Sequence, residues 1–198
     1  MSGLISKDSE GFYQTTSVGD AILKVLPSVQ FLLQYREDLM SHDLSGLPVS
    51  FVERLGDLQN AEHVRHFSQA TNLIKTMSSE AKEFLWGMGN EPFGLVARQA
   101  AQYLNRALTV RVITGQKIDG AEVGNLYPDR PEKFELANLQ NVKVGLSINE
   151  TLAWVNFPGP DGKIDYSAGF YGKDARIRGW CSDLFEYYWT RSTKVPIY

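Results

Sequence analysis

Apolar positions change period along the chain, and each change marks an element. From Gly3 to Thr16 they alternate around a polar turn at Glu10-Gly11, which predicts a short β-hairpin that must pack on something else. From Asp20 to about Met40 the spacing becomes three and four. Ile22, Val25, Leu26, Val29, Leu32, Leu33 and Leu39 then form a broad helical face, with Pro27 inside it predicting a kink or break. After a turn over His42–Pro48, a short helix is expected over Phe51–Leu58. A second is expected from Ala61 to about Ser79, buried through Val64, Phe67, Ala70, Leu73, Ile74 and Met77.

The second half reads differently. Glu83–Met88 is a buried strand ended by Gly89-Asn90, Phe93–Ala107 a helix and Leu108–Thr114 a strand. This order is the βαβ signature, with a right-handed crossover. Residues 115–135 read as loop. Asn141–Ile148 and Thr151–Phe157 read as a hairpin through Asn149-Glu150, with Asn able to take positive φ. A strand with Ile164, Tyr166, Ala168 and Phe170 alternating then turns into a last helix. There Ile177, Trp180, Cys181, Leu184, Phe185 and Tyr188 share one face, Asp174 suits the N-cap, and Arg191 and Lys194 suit the C-terminal end. The expected class is α/β with a mixed sheet, in three parts: a hairpin over 1–19, a helical linker or dimerisation segment over 20–80, and an α/β domain over 81–198.

Composition narrows the function. An apolar fraction of 43% supports a real core, and the net charge is −3. Arg36, Arg54, Arg65, Arg98, Arg106 and Arg111 are scattered, mostly with acids nearby, so no basic surface is expected to hold nucleic acid. A single cysteine, Cys181, excludes an intramolecular disulfide and a Cys-rich zinc site. The N-terminus turns polar at once and no apolar run approaches the roughly 20 residues of a membrane span, so a cytoplasmic protein without membrane contact is expected.

Candidate chemistry is sparse. His63 and His66, beside Glu62, have a three-residue metal spacing on the expected helix. No third ligand is visible, and a solvated face is the favoured reading, so neither metal nor cofactor is expected. Cys181, on an apolar helical face, reads as a buried inert thiol rather than a redox sensor. Asp161, Asp165 and Asp174 fit turns and a helix cap better than a calcium loop. Gly87–Asn90 could offer backbone amides to an anion, although Glu91 and Pro92 follow.

Several motifs together resemble a known family. Gly3, Leu4, Ile5, Tyr13, Thr16 and Gly19 match the wing that closes a winged helix-turn-helix domain and leads into a linker helix. His42–Pro48, Arg54–Leu58, Ala81–Trp86, Asp161–Asp165, Trp180 and Leu184–Trp189 resemble the effector domain of archaeal regulators of the methanogenesis and filament-formation type (FilR-like). The α/β part is also similar to the effector half of TrmB-type sugar-sensing regulators, itself similar to a phospholipase-D half-fold. That chemistry needs a His followed two residues on by Lys. None of His42, His63 and His66 has it, so no catalytic residue is expected.

The resemblance implies a ligand-sensing and dimerisation domain of a transcriptional regulator. DNA would be contacted only through a winged helix-turn-helix whose helices are missing from this chain. The expected pocket lies at the C-terminal edge of the parallel strands, with Trp86, Met88, Arg111, Thr114, Trp154 and Tyr166 as candidates for a small effector, an anionic one if Arg111 faces it. An internal ion pair, with an acid such as Glu83 or Asp165, is the competing role for Arg111, and structural core the competing role for the aromatics. Ile22, Val25, Leu26, Val29 and Leu33 are the expected homodimer seam, with packing on their own domain as the alternative. A small-molecule enzyme and a purely structural oligomerisation domain are the other readings.

Overall fold

The computed structural model describes residues 3–90, 107–118, 123–124 and 130–197. The chain begins with an antiparallel hairpin, β1 (Ile5–Lys7) and β2 (Tyr13–Thr15), and continues into helix α1 (Ser17–Gln34). Thr16 caps α1, its hydroxyl accepting from the Gly19 amide at 3.2 Å. The helix runs unbroken through Pro27 and stops at Tyr35, where α2 (Arg36–Leu39) begins. The break expected at Pro27 therefore falls eight residues later.

Short turns follow: α3 (Val49–Val52) and a 3₁₀ turn (Leu55–Leu58). The helix expected from Ala61 starts only at Phe67. Glu62–Val64 is instead an edge strand, β3, and α4 covers Phe67–Glu80. Val64 is buried in β3 because it packs, with Ala70 and Met77, on Leu152 and Trp154. A position that fits a helical period thus serves a strand.

The remaining strands are β4 (Phe84–Gly89), β5 (Thr109–Thr114), β6 (Lys133–Asn138), β7 (Gly145–Asn149), β8 (Ala153–Asn156) and β9 (Gly169–Gly172). Helix α5 (Ala175–Trp189) and β10 (Thr193–Val195) complete the order. The sheet order is β10-β6-β5-β4-β7-β8-β9-β3. Pairs β4–β5 and β5–β6 are parallel and the rest antiparallel, so the described chain is a mixed α/β fold. The expected helix over Phe93–Ala107 lies almost wholly outside the described residues. Strand β6 begins inside the stretch read as loop, and residues 164–168 turn rather than extend.

Asn149 closes the β7–β8 turn without positive φ, which among the described non-glycine residues belongs to Asn141 alone. Its side chain does the work. The carbonyl accepts from the amides of Thr151 (2.9 Å) and Leu152 (2.7 Å), and the amide donates to the Met77 carbonyl at 3.0 Å.

One face of the sheet packs on α5, whose Ile177, Trp180, Cys181, Leu184 and Phe185 are fully buried as the periodicity predicts. Asp174 caps α5 through the Arg176 amide at 2.7 Å. Phe31, Leu39, Leu47, Phe51, Leu55 and Leu58 join this same core, so residues 31–58 contribute to the layer that α5 builds. The opposite face carries α4. Burial also pushes the Cys181 thiol far up, which leaves it inert.

Candidate functional site

Helix α1 is apolar on two opposite sides. At 3.6 residues per turn, Ser28, Phe31 and Tyr35 fall on the side that meets the domain. Phe31 is fully buried against Tyr35 and Phe170. The Ser28 hydroxyl donates to the Glu53 carbonyl at 2.6 Å and accepts from the Gly56 amide at 2.9 Å. Gly56 has no room for a side chain, because a Cβ there would stand 2.5 Å from Pro27. The helix is therefore seated on the 3₁₀ turn by direct backbone approach.

The other side holds Ile22, Val25, Leu26, Val29 and Leu33 in a stripe about 100° wide. All are exposed, Val25 at 52%, Val29 at 47% and Leu33 at 63%. Asp20 and Lys24 project from the opposite half of the helix circumference, so no charge interrupts the stripe.

The N-terminal half of α1 and the hairpin stand clear of the domain, with β1 and β2 exposed throughout. They are fixed to each other. The Thr16 amide donates to the Leu4 carbonyl at 2.9 Å and the Thr16 hydroxyl to the Gly3 carbonyl at 2.7 Å. Leu4 approaches Gly19 so closely that a Cβ would lie 2.2 Å from its carbonyl oxygen. Hairpin and helix start are thus joined into one arm by these contacts.

A second cluster lies on the sheet. Register places Trp86, Arg111 and Glu135 side by side on the face that α5 covers. Trp86 stacks on Phe185 (centroids 5.1 Å apart), and the Arg111 guanidinium lies between Trp86 (5.3 Å) and Trp189 (5.2 Å). Arg111 donates to Glu135 at 2.9 Å and to Glu186 at 3.0 Å. Both acids differ from Glu83 and Asp165, which the sequence suggested as partners. Glu135 was hidden in a segment read as loop, and Glu186 reaches Arg111 only through the docking of α5.

The other sequence candidates lie elsewhere. Met88 is in the core on the Trp86 face. Trp154 is buried on the opposite face against α4. Thr114 is fully buried, its hydroxyl accepting from the Gln116 amide at 3.0 Å. The Tyr166 hydroxyl accepts from the Asn90 amide at 3.0 Å, closing the end of β4. The structure thus brings Trp86 and Arg111 together and distributes the remaining four.

Among the described residues no cluster of three or more His, Cys, Asp or Glu is arranged to hold a metal, and no helix is long and apolar enough to cross a membrane. No family model matches the chain. It is 24% identical to the methanogenesis regulatory protein FilR1 of Methanothrix harundinacea (strain 6Ac), an alignment covering 97% of this chain and 47% of that protein. The chain therefore spans about half the length of this relative. Among solved structures it is similar to TrmBL2, described as an archaeal chromatin protein with a novel mode of DNA binding. The TM-score is 0.49 with 16% identity, over 98% of this chain and 78% of that one. It is also similar to NucT from Helicobacter pylori, with a TM-score of 0.46 and 10% identity, over 64% and 91%. Over nearly all of its length the chain is similar to an archaeal regulatory protein of the kind that its motifs resemble.

Proposed function

We propose that this chain is the dimerising and effector-responsive part of a transcriptional regulator, with α1 as the seam between two copies. The observation that carries this reading is the uncharged apolar stripe of Ile22, Val25, Leu26, Val29 and Leu33 on the side of α1 facing away from its own domain. A stripe of that kind marks an interface. Because Asp20 and Lys24 lie outside it, a second copy presents the same face without like-charge repulsion, as an isologous contact requires. The alignment with FilR1, a protein named for regulation, supports the regulatory role.

The effector is assigned to the α/β body. Of the residues expected to bind it, Trp86 and Arg111 keep a shared surface. Arg111 is already neutralised by Glu135 and Glu186, which favours its role as a brace between β5, β6 and α5. Light scattering tests the seam. The chain is expected to run as a dimer, and Val29→Glu is expected to yield a folded monomer, because burying an unpaired carboxylate costs several kcal/mol. A wild-type monomer at high micromolar concentration removes the seam from this reading. A thermal-shift screen against small metabolites tests the sensing part separately.

A further inference from the structure

The end of β4 is closed by a side chain from a distant turn. A Cβ on Gly89 would stand 2.6 Å from the Tyr166 hydroxyl, which uses that space to accept from the Asn90 amide at 3.0 Å. Tyr166 belongs to a turn that is bonded to itself. The Asp165 carboxylate accepts from the Ser167 amide at 2.8 Å and from its hydroxyl at 2.6 Å. The Asn156 side chain, buried on β8, donates to the carbonyls of Asp165 (3.1 Å) and Ala168 (2.6 Å) and so anchors both ends of the turn.

The same turn reaches the junction of α1 and α2. The other carboxylate oxygen of Asp165 lies 3.5 Å from Nε2 of His42, whose side chain is only 10% exposed. His42 Nδ1, 2.7 Å from the Asp38 carbonyl, carries a proton because a carbonyl oxygen only accepts. Asp38 is fixed in turn, its carboxylate held by Arg65 at 3.0 Å and facing His63 at 3.5 Å. A second tie runs beside the first: the Asp43 amide donates to the Pro158 carbonyl at 2.7 Å. Two residues past the turn, Phe170 rests on Phe31 of α1 (5.1 Å) and on Tyr35 (4.8 Å), the residue between α1 and α2.

We propose that residues 165–168 are a strap that couples the C-terminal edge of the parallel strands to the seating of α1. Asn90 follows β4 at that edge, where an open α/β sheet takes its ligands. A ligand atom that accepts from the Asn90 amide competes with the Tyr166 hydroxyl and displaces it. The turn then pivots on Asn156 and Asp165 leaves His42. That loosens α2 and the side of α1 opposite the apolar stripe. The strap deepens the reading of an effector-responsive dimer and rests on it for the ligand, but its coupling is present without one.

The test is amide hydrogen exchange of the full chain at about pH 6, where an ordinary imidazole is mostly protonated. Tyr166→Phe removes the hydroxyl and keeps the ring. It is expected to speed exchange about tenfold at Asn90, the scale of one hydrogen bond, and several-fold at Leu39 and Asp43. His42→Leu cuts the strap from the other end and is expected to speed exchange at Asn90, because coupling is reciprocal. Leu184 and Phe185 in α5 are the control and stay unchanged in both variants. Acceleration in Tyr166→Phe that stops at Asn90, an unchanged Asn90 in His42→Leu, or equal acceleration in α5 overturns the strap. None of these measurements involves a ligand, so a blank metabolite screen bears on the effector reading alone.

Discussion

Arg111 and His63 show how single residues take their roles from neighbours far away in sequence. Arg111 ties β5 to β6 and to α5 through Glu135 and Glu186 while lying between two indoles. Arg111→Ala would leave the two carboxylates facing each other and remove the packing of the guanidinium on Trp86. Both acids are substantially exposed, so solvent screening limits the loss to about 1–2 kcal/mol, or roughly 3–6 °C in Tm for a chain of this size. Calorimetry checks it: an unchanged Tm would return Arg111 to the effector reading.

His63 is held below the ordinary imidazole range by burial, reinforced by Arg65 and His42 and opposed by Asp38. The unfolded chain then binds more protons than the folded one as pH falls below about 6.5, so stability is full above that value and declines beneath it. Urea midpoints between about pH 7.5 and pH 5 are expected to fall, and to fall less in His63→Gln.

At the scale of elements, α1 is the informative piece because it is held at both ends by close backbone approach. Ser28 and Gly56 fix its lower half, and Gly19 fixes the hairpin to its start. Gly19→Ala is expected to push Leu4 away while keeping the helix, since alanine favours helix more than glycine does. Hydrogen exchange at the β1 and β2 amides should then accelerate with α1 protection unchanged. Equal protection of the hairpin in variant and wild type would mean that these contacts do not join the arm. A joined arm matters for the proposed function: a change at the base of α1 would move the hairpin as a unit rather than dissipate in a hinge.

For the whole molecule, the charge of −3 and the absence of any basic cluster in the sequence predict weak DNA binding by this chain alone. A gel shift at moderate salt is expected to show no sequence-specific complex below micromolar concentration. Tight specific binding would place the DNA-reading surface within these 198 residues.

The sequence by itself determined the pieces whose burial is periodic along the chain. The hairpin, α1 with its broad apolar face, the parallel β4–β5 pair and the α5 face were legible in the sequence, whereas the second side of α1, with Phe31, was not. Tertiary structure decided the rest. Glu62–Val64 became a strand because β9 offers it an edge, not because its residues alternate. Strand β6 and the position of Glu135 opposite Arg111 depend on pairing with β5, and Asn149 closes its turn through a side chain that reaches Met77 on α4. The effector candidates were chosen by residue type, and the two faces of the sheet then divided them: Trp86 and Arg111 under α5, Trp154 on the α4 side. Alternation states that neighbours on a strand point to opposite faces. Which helix covers each face is settled only by packing between segments distant in the chain, which no local period records.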